Sequence, residues 1–510
     1  MSTMKKINVV KSSFVVMSMI MLSRILGMIR TLAIAYFFGA GAVTDAFYSA
    51  LQISNLLRQL LGEGALGTSF IPIYNERVKK EGEKAARELI FLTLNFLFVF
   101  LLITSLIMLF GSKWITDIIV FGYPEPTKLL VTHLLRIMSF YLFFVGLSGM
   151  ICAVLNNYGQ FLLPATTSIF YNLVTIAAMF FFAKKFAIDA MAWGVLVAGV
   201  LQLVVVIPSL LKITKGYRMV FSLTNQYMLR IFKLVVPRLA GVFSLQFNLT
   251  VDQFFGSFLV VGSISALNNA SYLYNLPLGM FGIAIGTVIF PSISRHAESK
   301  RWRNVKLEIE RGLTLLTILV VPCMVASVLF AHQIVMVVFG HRGHFTSADD
   351  LLTSQALWVY SIGLFSFTAV QILSRAFYAM KNTKDPVKYA VLSILLNTLF
   401  CAIFVHFFAI RGIALATVLA SFINFAQLYY WYTKKYIKLN GKKLSRFFMT
   451  ILTVCIVIAL PLRIFLHHNL LMLILFTILY FIVLFLIYYF FDRASLKKIM
   501  KKVPIIKNKF

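Results

Sequence analysis

Long apolar stretches separated by short basic loops recur along the whole chain, and they constrain its fold more than any other feature. Of the 510 residues, 60% are hydrophobic and only 13% are charged, about half the charged share of a soluble protein. A helix needs about 20 mainly apolar residues to cross a membrane. We therefore expect an all-α polytopic membrane protein with about fourteen transmembrane helices, near 12–37, 42–74, 86–110, 129–155, 163–183, 187–211, 228–252, 264–293, 312–331, 351–380, 388–408, 411–432, 446–466 and 469–491.

The net charge of +31 follows the predicted membrane topology. Lys and Arg cluster in alternate loops, such as RVKKEGEKAAR after the second span and KITKGYR after the sixth. The intervening loops FGAGAVT and VVGSIS carry almost no charge, although AKKFAID is an exception. Because cytoplasmic loops are enriched in basic residues, we expect a multi-pass protein with both termini in the cytoplasm. Nucleic acid is not an expected partner.

The residue types that carry out catalysis or bind metals show no matching pattern. The chain contains no Walker loop and no paired catalytic carboxylates, and its eight histidines lack ligand spacing. All four cysteines lie in predicted spans, where they are expected to be small buried hydrophobic residues: Cys152, Cys323, Cys401 and Cys455. We expect no enzyme activity, no metal site and no cofactor.

Two stretches resemble each other and indicate an internal repeat. GTSFIPIYNERVKK begins at Gly67 and GTVIFPSISRHAESK begins at Gly286, and each ends a predicted span and enters a basic loop. Six crossings separate them, so both halves have the same orientation, as in transporters built from parallel repeats. We expect two six-helix lobes, 1–220 and 221–440, facing a central cavity, and two extra helices with a basic cytoplasmic tail in 441–510.

Polar residues inside the predicted spans form stripes. In the first span Ser23, Gly27 and Arg30 share one helix face, and Arg24 lies beside it. The second span carries a stripe at a spacing of three to four residues, formed by Asp45, Tyr48, Gln52, Asn55, Gln59 and Glu63, with Arg58 beside it. The eighth span has its own stripe, which includes Asn268, Tyr272 and Asn275. Such stripes must face each other or a watery cleft, because lipid cannot satisfy them.

Two interpretations of these charges are open, and both can hold. Asp45 and Glu63 can pair with the arginines and only hold the helices together, or the arginines can line a hydrated cavity for an anionic substrate. Three arginines against two acids leave excess positive charge, and a guanidinium suits phosphate. Arg136, towards the outer end of the fourth span, fits either a cavity or a surface position. Three other basic residues lie near cytoplasmic ends, where they can snorkel to the membrane surface: Lys233, Arg238 and Arg375.

The motifs SRILGMIR, FGAGAVTDAF, NLLRQLLGEGA and SFIPIY, in this order within the first 75 residues, resemble the MurJ/MviN lipid II flippase family. The likeness continues through PLGMFGIAIGTVIFPSIS, HRGHFTSADD and YAMKNTKDPVK. The resemblance implies a 14-helix, two-lobed transporter of the bacterial cytoplasmic membrane that works by alternating access. It implies a polyprenyl-pyrophosphate-linked sugar as substrate, undecaprenyl-pyrophosphate-disaccharide-pentapeptide, with membrane lipid and cell-wall synthesis enzymes as further partners.

The resemblance also implies roles for particular residues. Substrate binding is expected at Arg24, Arg30 and Arg58 with Ser23 and Asn55, gating or charge pairing at Asp45, Glu63 and Arg58, and cavity lining at Gln59, Tyr272, Asn275 and Arg136. The chain departs from the family pattern where relatives often carry charged residues, at Thr31, Gln59, Tyr272 and Asn275. The expected cavity is therefore less charged, which leaves the exact headgroup open.

Three alternative functions compete with this reading. A drug or cation antiporter predicts twelve spans and an acid-dominated cavity. A flippase for another polyprenyl-linked oligosaccharide differs only in local motifs. A membrane scaffold without transport activity predicts that substitutions at Arg24, Arg30 and Glu63 are tolerated.

Overall fold

The computed structural model describes residues 9–59, 65–222, 224–340 and 343–465, and these residues form helices and no strand. This confirms the all-α fold. The helices are α1 Val9–Phe38, α2 Ala42–Arg58, α3 Ala65–Phe110, α4 Ser112–Ile119, α5 Glu125–Met138, α6 Tyr141–Asn157, α7 Leu162–Phe186, α8 Asp189–Thr214, α9 Gln226–Gly256, α10 Ser263–Pro277, α11 Ala284–Glu298, α12 Trp302–Leu329, α13 Ala331–Val338, α14 Ser347–Ile362, α15 Leu364–Ala379, α16 Lys384–Phe408, α17 Ile410–Lys435 and α18 Gly441–Phe465.

Several of these helices are long and apolar enough to cross a membrane. Among the described residues there are eight, or up to ten if each of two bent helix pairs counts as one span. The predicted total of about fourteen stays a prediction, and the predicted last span, 469–491, lies outside the described residues. The helix predicted at 411–432 is confirmed as α17, although one residue, Ala409 with a left-handed φ of 49°, separates it from α16.

Two predicted spans were wrong as single helices. The predicted span 129–155 is divided between α5 and α6, which meet at 43°, and 351–380 is divided between α14 and α15, which meet at 44°. At each break an N–H bonds to the carbonyl three residues earlier, Ser139 to Arg136 and Gly363 to Tyr360. Such tight turns leave the apolar run uninterrupted, so hydropathy does not reveal them. The predicted span 42–74 falls on α2 and the start of α3, and the residues between them lie outside the description.

Two further interruptions have a local cause. Gly82 has φ 84° and ψ 171° and divides α3 within its basic segment. A short π-helical turn, Leu278–Ile283, follows Pro277 at the end of α10. Proline lacks an N–H and cannot continue a regular helical hydrogen-bond ladder, and wider turns of this kind accommodate such breaks.

The order and lengths of the helices repeat along the chain. The short helices α4 and α13 have eight residues each and begin 219 residues apart, the same offset as Gly67 and Gly286. Each is followed by one of the bent pairs, α5–α6 and α14–α15. These matches support the predicted repeat independently of the GT and Pro motifs.

The chain divides into two compact units, each built from several segments. The first consists of Met1–Tyr272, His341–Thr353 and Ala390–Ala416, and the second of Leu273–Gly340, Ser354–Tyr389 and Thr417–Phe510. These ranges differ from the predicted lobes 1–220 and 221–440, which stay a prediction. Two apolar clusters fill the first unit, one around α2, α5 and α8 and one around α3, α6 and α9. One cluster around α12, α15 and α18 fills the second.

Candidate functional site

The guanidinium of Arg30 lies inside the first unit. Only 7% of this residue is exposed. Its Nη2 donates a hydrogen bond to the Tyr272 hydroxyl, and its Cζ lies 4.9 Å from the ring centroid of Tyr171 and 5.9 Å from that of Tyr272. Among the described residues Arg30 contacts these two tyrosines and no carboxylate, so a permanent positive charge is buried without an acidic partner.

Tyr171 and Tyr48 complete the surroundings of Arg30. Tyr48 on α2 and Tyr171 on α7 belong to one apolar cluster, and both interact electrostatically with Arg30. Aromatic faces stabilise cations, which explains how a guanidinium tolerates this place. We call Arg30, Tyr48, Tyr171 and Tyr272 the arginine–tyrosine pocket. The sequence stripes contained Arg30, Tyr48 and Tyr272, whereas no pattern singled out Tyr171.

The face of α1 that carries Ser23 and Arg30 packs against α7. Asn172, next to Tyr171, donates to the Ser23 carbonyl oxygen at 3.1 Å and to Ser23 Oγ at 3.4 Å. Its side chain also lies beside Gly27. The predicted face of α1 is therefore one surface, held by two consecutive residues of α7. Arg24 lies on α1 with an exposed side chain, off this surface.

Arg58 and Asn55 of α2 contact each other, and Gln59, directly after α2, contacts α9. Arg58 donates from Nε to Asn55 Oδ1 at 3.1 Å, so these two predicted substrate-binding residues contact each other. Gln59 accepts a hydrogen bond from Gln246 on α9. Glu63 lies outside the described residues.

Asp45 has partners that the sequence did not predict. Its carboxylate, 2% exposed, accepts hydrogen bonds from the Gly262 N–H at 2.7 Å and from the Ser265 N–H and hydroxyl at 2.7 and 2.6 Å. Within the described residues no arginine contacts it, so the pairing of Asp45 with an arginine stays a prediction. The unpaired N–H groups at the start of α10 satisfy the carboxylate instead, because a helix N-terminus offers free donors and a favourable dipole.

A second buried carboxylate also joins segments that are distant in sequence, but here the acid lies later in the chain than its distant partner. Asp349 on α14 accepts from the Ala40 N–H at 3.3 Å and from the Thr346 N–H at 2.9 Å. In the same place the His344 N–H donates to the Tyr36 carbonyl at 3.0 Å. We call the contacts of Asp45 and Asp349 with these loops the double clasp. Gly262, with φ 92°, packs directly against the Ala40 carbonyl and leaves no room for a side chain.

Two predicted cavity residues lie elsewhere. Arg136 is exposed, and its Nε donates to Ser112 Oγ at the start of α4 at 3.0 Å. Asn275 belongs to the second unit, where its side chain is exposed.

One buried polar cluster of the first unit was not predicted from the sequence. Asn397 Nδ2 donates to Asn248 Oδ1 at 2.6 Å and to Asp252 Oδ1 at 3.4 Å, and Cys401 Sγ lies 3.8 Å from the same Asp252 oxygen. An acid inside a predicted span is itself a functional signal, and Asp252 in the predicted span 228–252 carried it.

Comparisons with known proteins agree on one family. Residues 34–489 match the family model of the lipid II flippase MurJ. The chain is 35% identical over 425 residues to the probable lipid II flippase MurJ of Buchnera aphidicola subsp. Acyrthosiphon pisum. The alignment covers 82% of this chain and 83% of that protein.

Solved structures share the fold. A lipid II flippase MurJ in an inward closed conformation superposes with a TM-score of 0.81 at 28% sequence identity and covers 93% of this chain and 99% of its own. An inward-facing multidrug resistance MATE family transporter of the MOP superfamily superposes with a TM-score of 0.67 at 13% identity, over 86% of this chain and 99% of its own. The second likeness shows the fold alone.

Proposed function

The chain belongs to the lipid II flippase MurJ family, and we propose that it moves lipid II from the inner to the outer leaflet of the bacterial cytoplasmic membrane. Lipid II is the undecaprenyl-pyrophosphate-linked disaccharide-pentapeptide of peptidoglycan synthesis. The proposed mechanism is alternating access between two lobes, with both chain termini in the cytoplasm. Membrane lipid and cell-wall synthesis enzymes are the proposed further partners.

The burial of Arg30 carries this proposal. A guanidinium that is 7% exposed and contacts two tyrosines but, among the described residues, no carboxylate is poised for an anion. Arginine binds phosphate through paired N–H groups. In the proposed complex the pyrophosphate replaces the Tyr272 hydroxyl as the acceptor for Arg30.

Arg24 and Arg58 extend the proposed headgroup site. Arg24 is exposed on the neighbouring side of α1, where it can meet an arriving phosphate first. Arg58 already touches Asn55, and Ser23 is fixed by Asn172. We propose that these residues bind the sugar and pyrophosphate groups while the prenyl chain remains in the apolar surroundings.

The double clasp is the proposed outer closure. Asp45 and Asp349 each hold backbone N–H groups of another segment. The donors at Ala40 and Gly262 lie in FGAGAVT and VVGSIS, the nearly uncharged loops assigned to the outer side. Opening requires that both carboxylates release these donors. The inner closure is proposed at Arg58 and Glu63.

One second candidate function has a specific observation in its favour. Neutral residues stand at Thr31, Gln59, Tyr272 and Asn275, and a less charged cavity suits a different headgroup on the same pyrophosphate. The alternative substrate is therefore another polyprenyl-pyrophosphate-linked oligosaccharide. A drug or cation antiporter fits less well, because the buried charge of the pocket is positive.

The decisive experiment measures the lipid-linked precursor in cells depleted of this protein. We expect lipid II to accumulate in the inner leaflet, wild-type protein to reverse this, and Arg24→Ala at normal membrane levels to fail. Unchanged lipid II would overturn the substrate assignment and favour the second candidate. Full activity of Arg24→Ala would remove this arginine from the headgroup site.

A further inference from the structure

We propose that the Tyr48 hydroxyl is a substrate-binding group that donates a hydrogen bond to a phosphate oxygen held by Arg30. The inference rests on the proposed transport of a pyrophosphate-linked lipid and names a further binding residue for it. Gln52, one helical turn away on the same face of α2, contributes a second donor through its side-chain amide.

The hydroxyl of Tyr48 makes no hydrogen bond that would stabilise the fold within the described residues. The residue is 5% exposed, and its buried hydroxyl oxygen has no hydrogen-bond partner within the part of the chain that the structure describes. Buried polar groups are nearly always paired, and an unpaired one destabilises the fold. A phenylalanine would pack in the same cluster without this cost.

The surroundings of Tyr48 indicate what the hydroxyl is for. Tyr48 lies within electrostatic range of Arg30, Tyr171 and Tyr272, so the unpaired hydroxyl belongs to the surroundings of the buried cation. A ligand that bonds to both the Tyr48 hydroxyl and the guanidinium must offer an acceptor, and a negative charge suits the guanidinium. A phosphate oxygen supplies both.

Gln52 repeats the same feature one turn along the helix. Its Nε2 is also buried and without a partner among the described residues, and residues four apart lie on one helix face. A hydroxyl hydrogen and an amide N–H are both donors. Two donors without partners on the face of α2 that carries Tyr48 favour an oxygen-rich anion over a cationic drug.

Ligand binding would exchange partners inside the pocket. In the structure the Tyr272 hydroxyl accepts from Arg30, while the Tyr48 hydroxyl has no partner among the described residues. A pyrophosphate would accept from Arg30 in place of Tyr272 and would also accept from Tyr48.

The chain offers a matched control. Tyr432 on α17 is fully buried, and its hydroxyl likewise lacks a partner among the described residues, but it packs in the apolar cluster of the second unit. Tyr432→Phe and Tyr48→Phe thus remove the same group from buried places. Arg30 is an electrostatic partner of Tyr48, whereas the partner of Tyr432 is Tyr436.

The test compares binding and thermal stability of the full-length purified protein in lipid nanodiscs. For Tyr48→Phe we expect an unchanged or higher Tm and a Kd for lipid II about tenfold weaker, as for the loss of one hydrogen bond to a charged group. Gln52→Met should weaken binding further when combined with it. Tyr432→Phe should keep or raise Tm with unchanged Kd.

Four other outcomes are informative. A Kd within about twofold of the wild type for Tyr48→Phe would overturn the inference, and so would a large fall in Tm, since that would mean a structural role. If the wild type binds inorganic pyrophosphate but not lipid II, and Tyr48→Phe weakens the pyrophosphate complex, the inference stands while the proposed substrate fails. If the wild type binds neither probe, both fail.

Discussion

A charged side chain inside a membrane protein must find a partner of opposite character, and its choice of partner shows what it can do. Asp45 takes three donors at the start of α10 and contacts no arginine among the described residues. Arg30 takes aromatic faces and a hydroxyl, which solvate the cation without neutralising it. The pocket therefore keeps a net positive charge for an anion.

Replacing Arg30 by Gln should separate function from stability. Arginine at the centre of a span costs about 2.5–3.5 kcal/mol on insertion scales, so Arg30→Gln should fold at least as well as the wild type. Loss of the charged hydrogen bonds should slow lipid II transport about tenfold to a hundredfold. Transport into the outer leaflet of reconstituted vesicles, together with Tm, measures both effects.

Arg311→Gln is the control for this substitution, since Arg311 is a half-exposed residue in an ion pair with Glu308 at the start of α12. This variant makes the same chemical change in a residue that is not part of the arginine–tyrosine pocket. It should transport lipid II at the wild-type rate. Wild-type transport by Arg30→Gln would leave Arg30 with no role in binding.

At the scale of helices and loops, the double clasp joins segments that are distant in sequence. Asp45 and Ser265 are 220 residues apart, and Ala40 and Asp349 are 309 apart. Each carboxylate holds backbone donors, and Asp45 also accepts from the Ser265 hydroxyl. The clasp depends on helix ends and on Gly262, whose φ of 92° permits the close approach.

Asp349→Asn and Asp45→Asn should each loosen the double clasp. An amide keeps the size of the side chain but replaces one acceptor oxygen by a donor, which opposes the N–H groups of Ala40 and Thr346. Ser49→Cys, one turn below Asp45 and fully buried, reports the opening. In a protein with this single cysteine, we expect labelling by a membrane-impermeant maleimide to accelerate roughly tenfold.

Two comparisons make the outcome specific. Asp189→Asn removes a carboxylate that bonds to His133 and should not change the labelling rate. The double variant Asp45→Asn with Asp349→Asn should show less than the summed effect, since contacts in one network are not additive. Equal labelling of Asp349→Asn and wild type would exclude Asp349 from the closure.

At the scale of the whole molecule, the helix pattern occurs twice and the basic loops alternate. The eight-residue helices α4 and α13 and the bent pairs that follow them fall at matching places. If the number of crossings is even, as the sequence predicts, both termini lie on the same side. That side is the cytoplasm if the basic loops decide orientation.

Reporter fusions check this topology. Fluorescent protein fused after Phe510 should fluoresce, and alkaline phosphatase fused there should be inactive, because the basic tail stays in the cytoplasm. Phosphatase inserted after Gly41 should be active. The loop around Lys184 and Lys185 should also be outside despite its charge, and an active phosphatase at the C-terminus would contradict the even number of crossings.

Sequence alone determined the membrane class, the helical fold, the family and the residues of α1 and α2 that deserve attention. These follow from properties of neighbouring residues: apolar length, helical spacing and local motifs. Tertiary structure decided the bends within 129–155 and 351–380, the partners of Asp45 and the place of Tyr171. Each depends on contacts or backbone turns that leave hydropathy unchanged, and the contacts join residues as far apart as Arg30 and Tyr272, 242 positions along the chain.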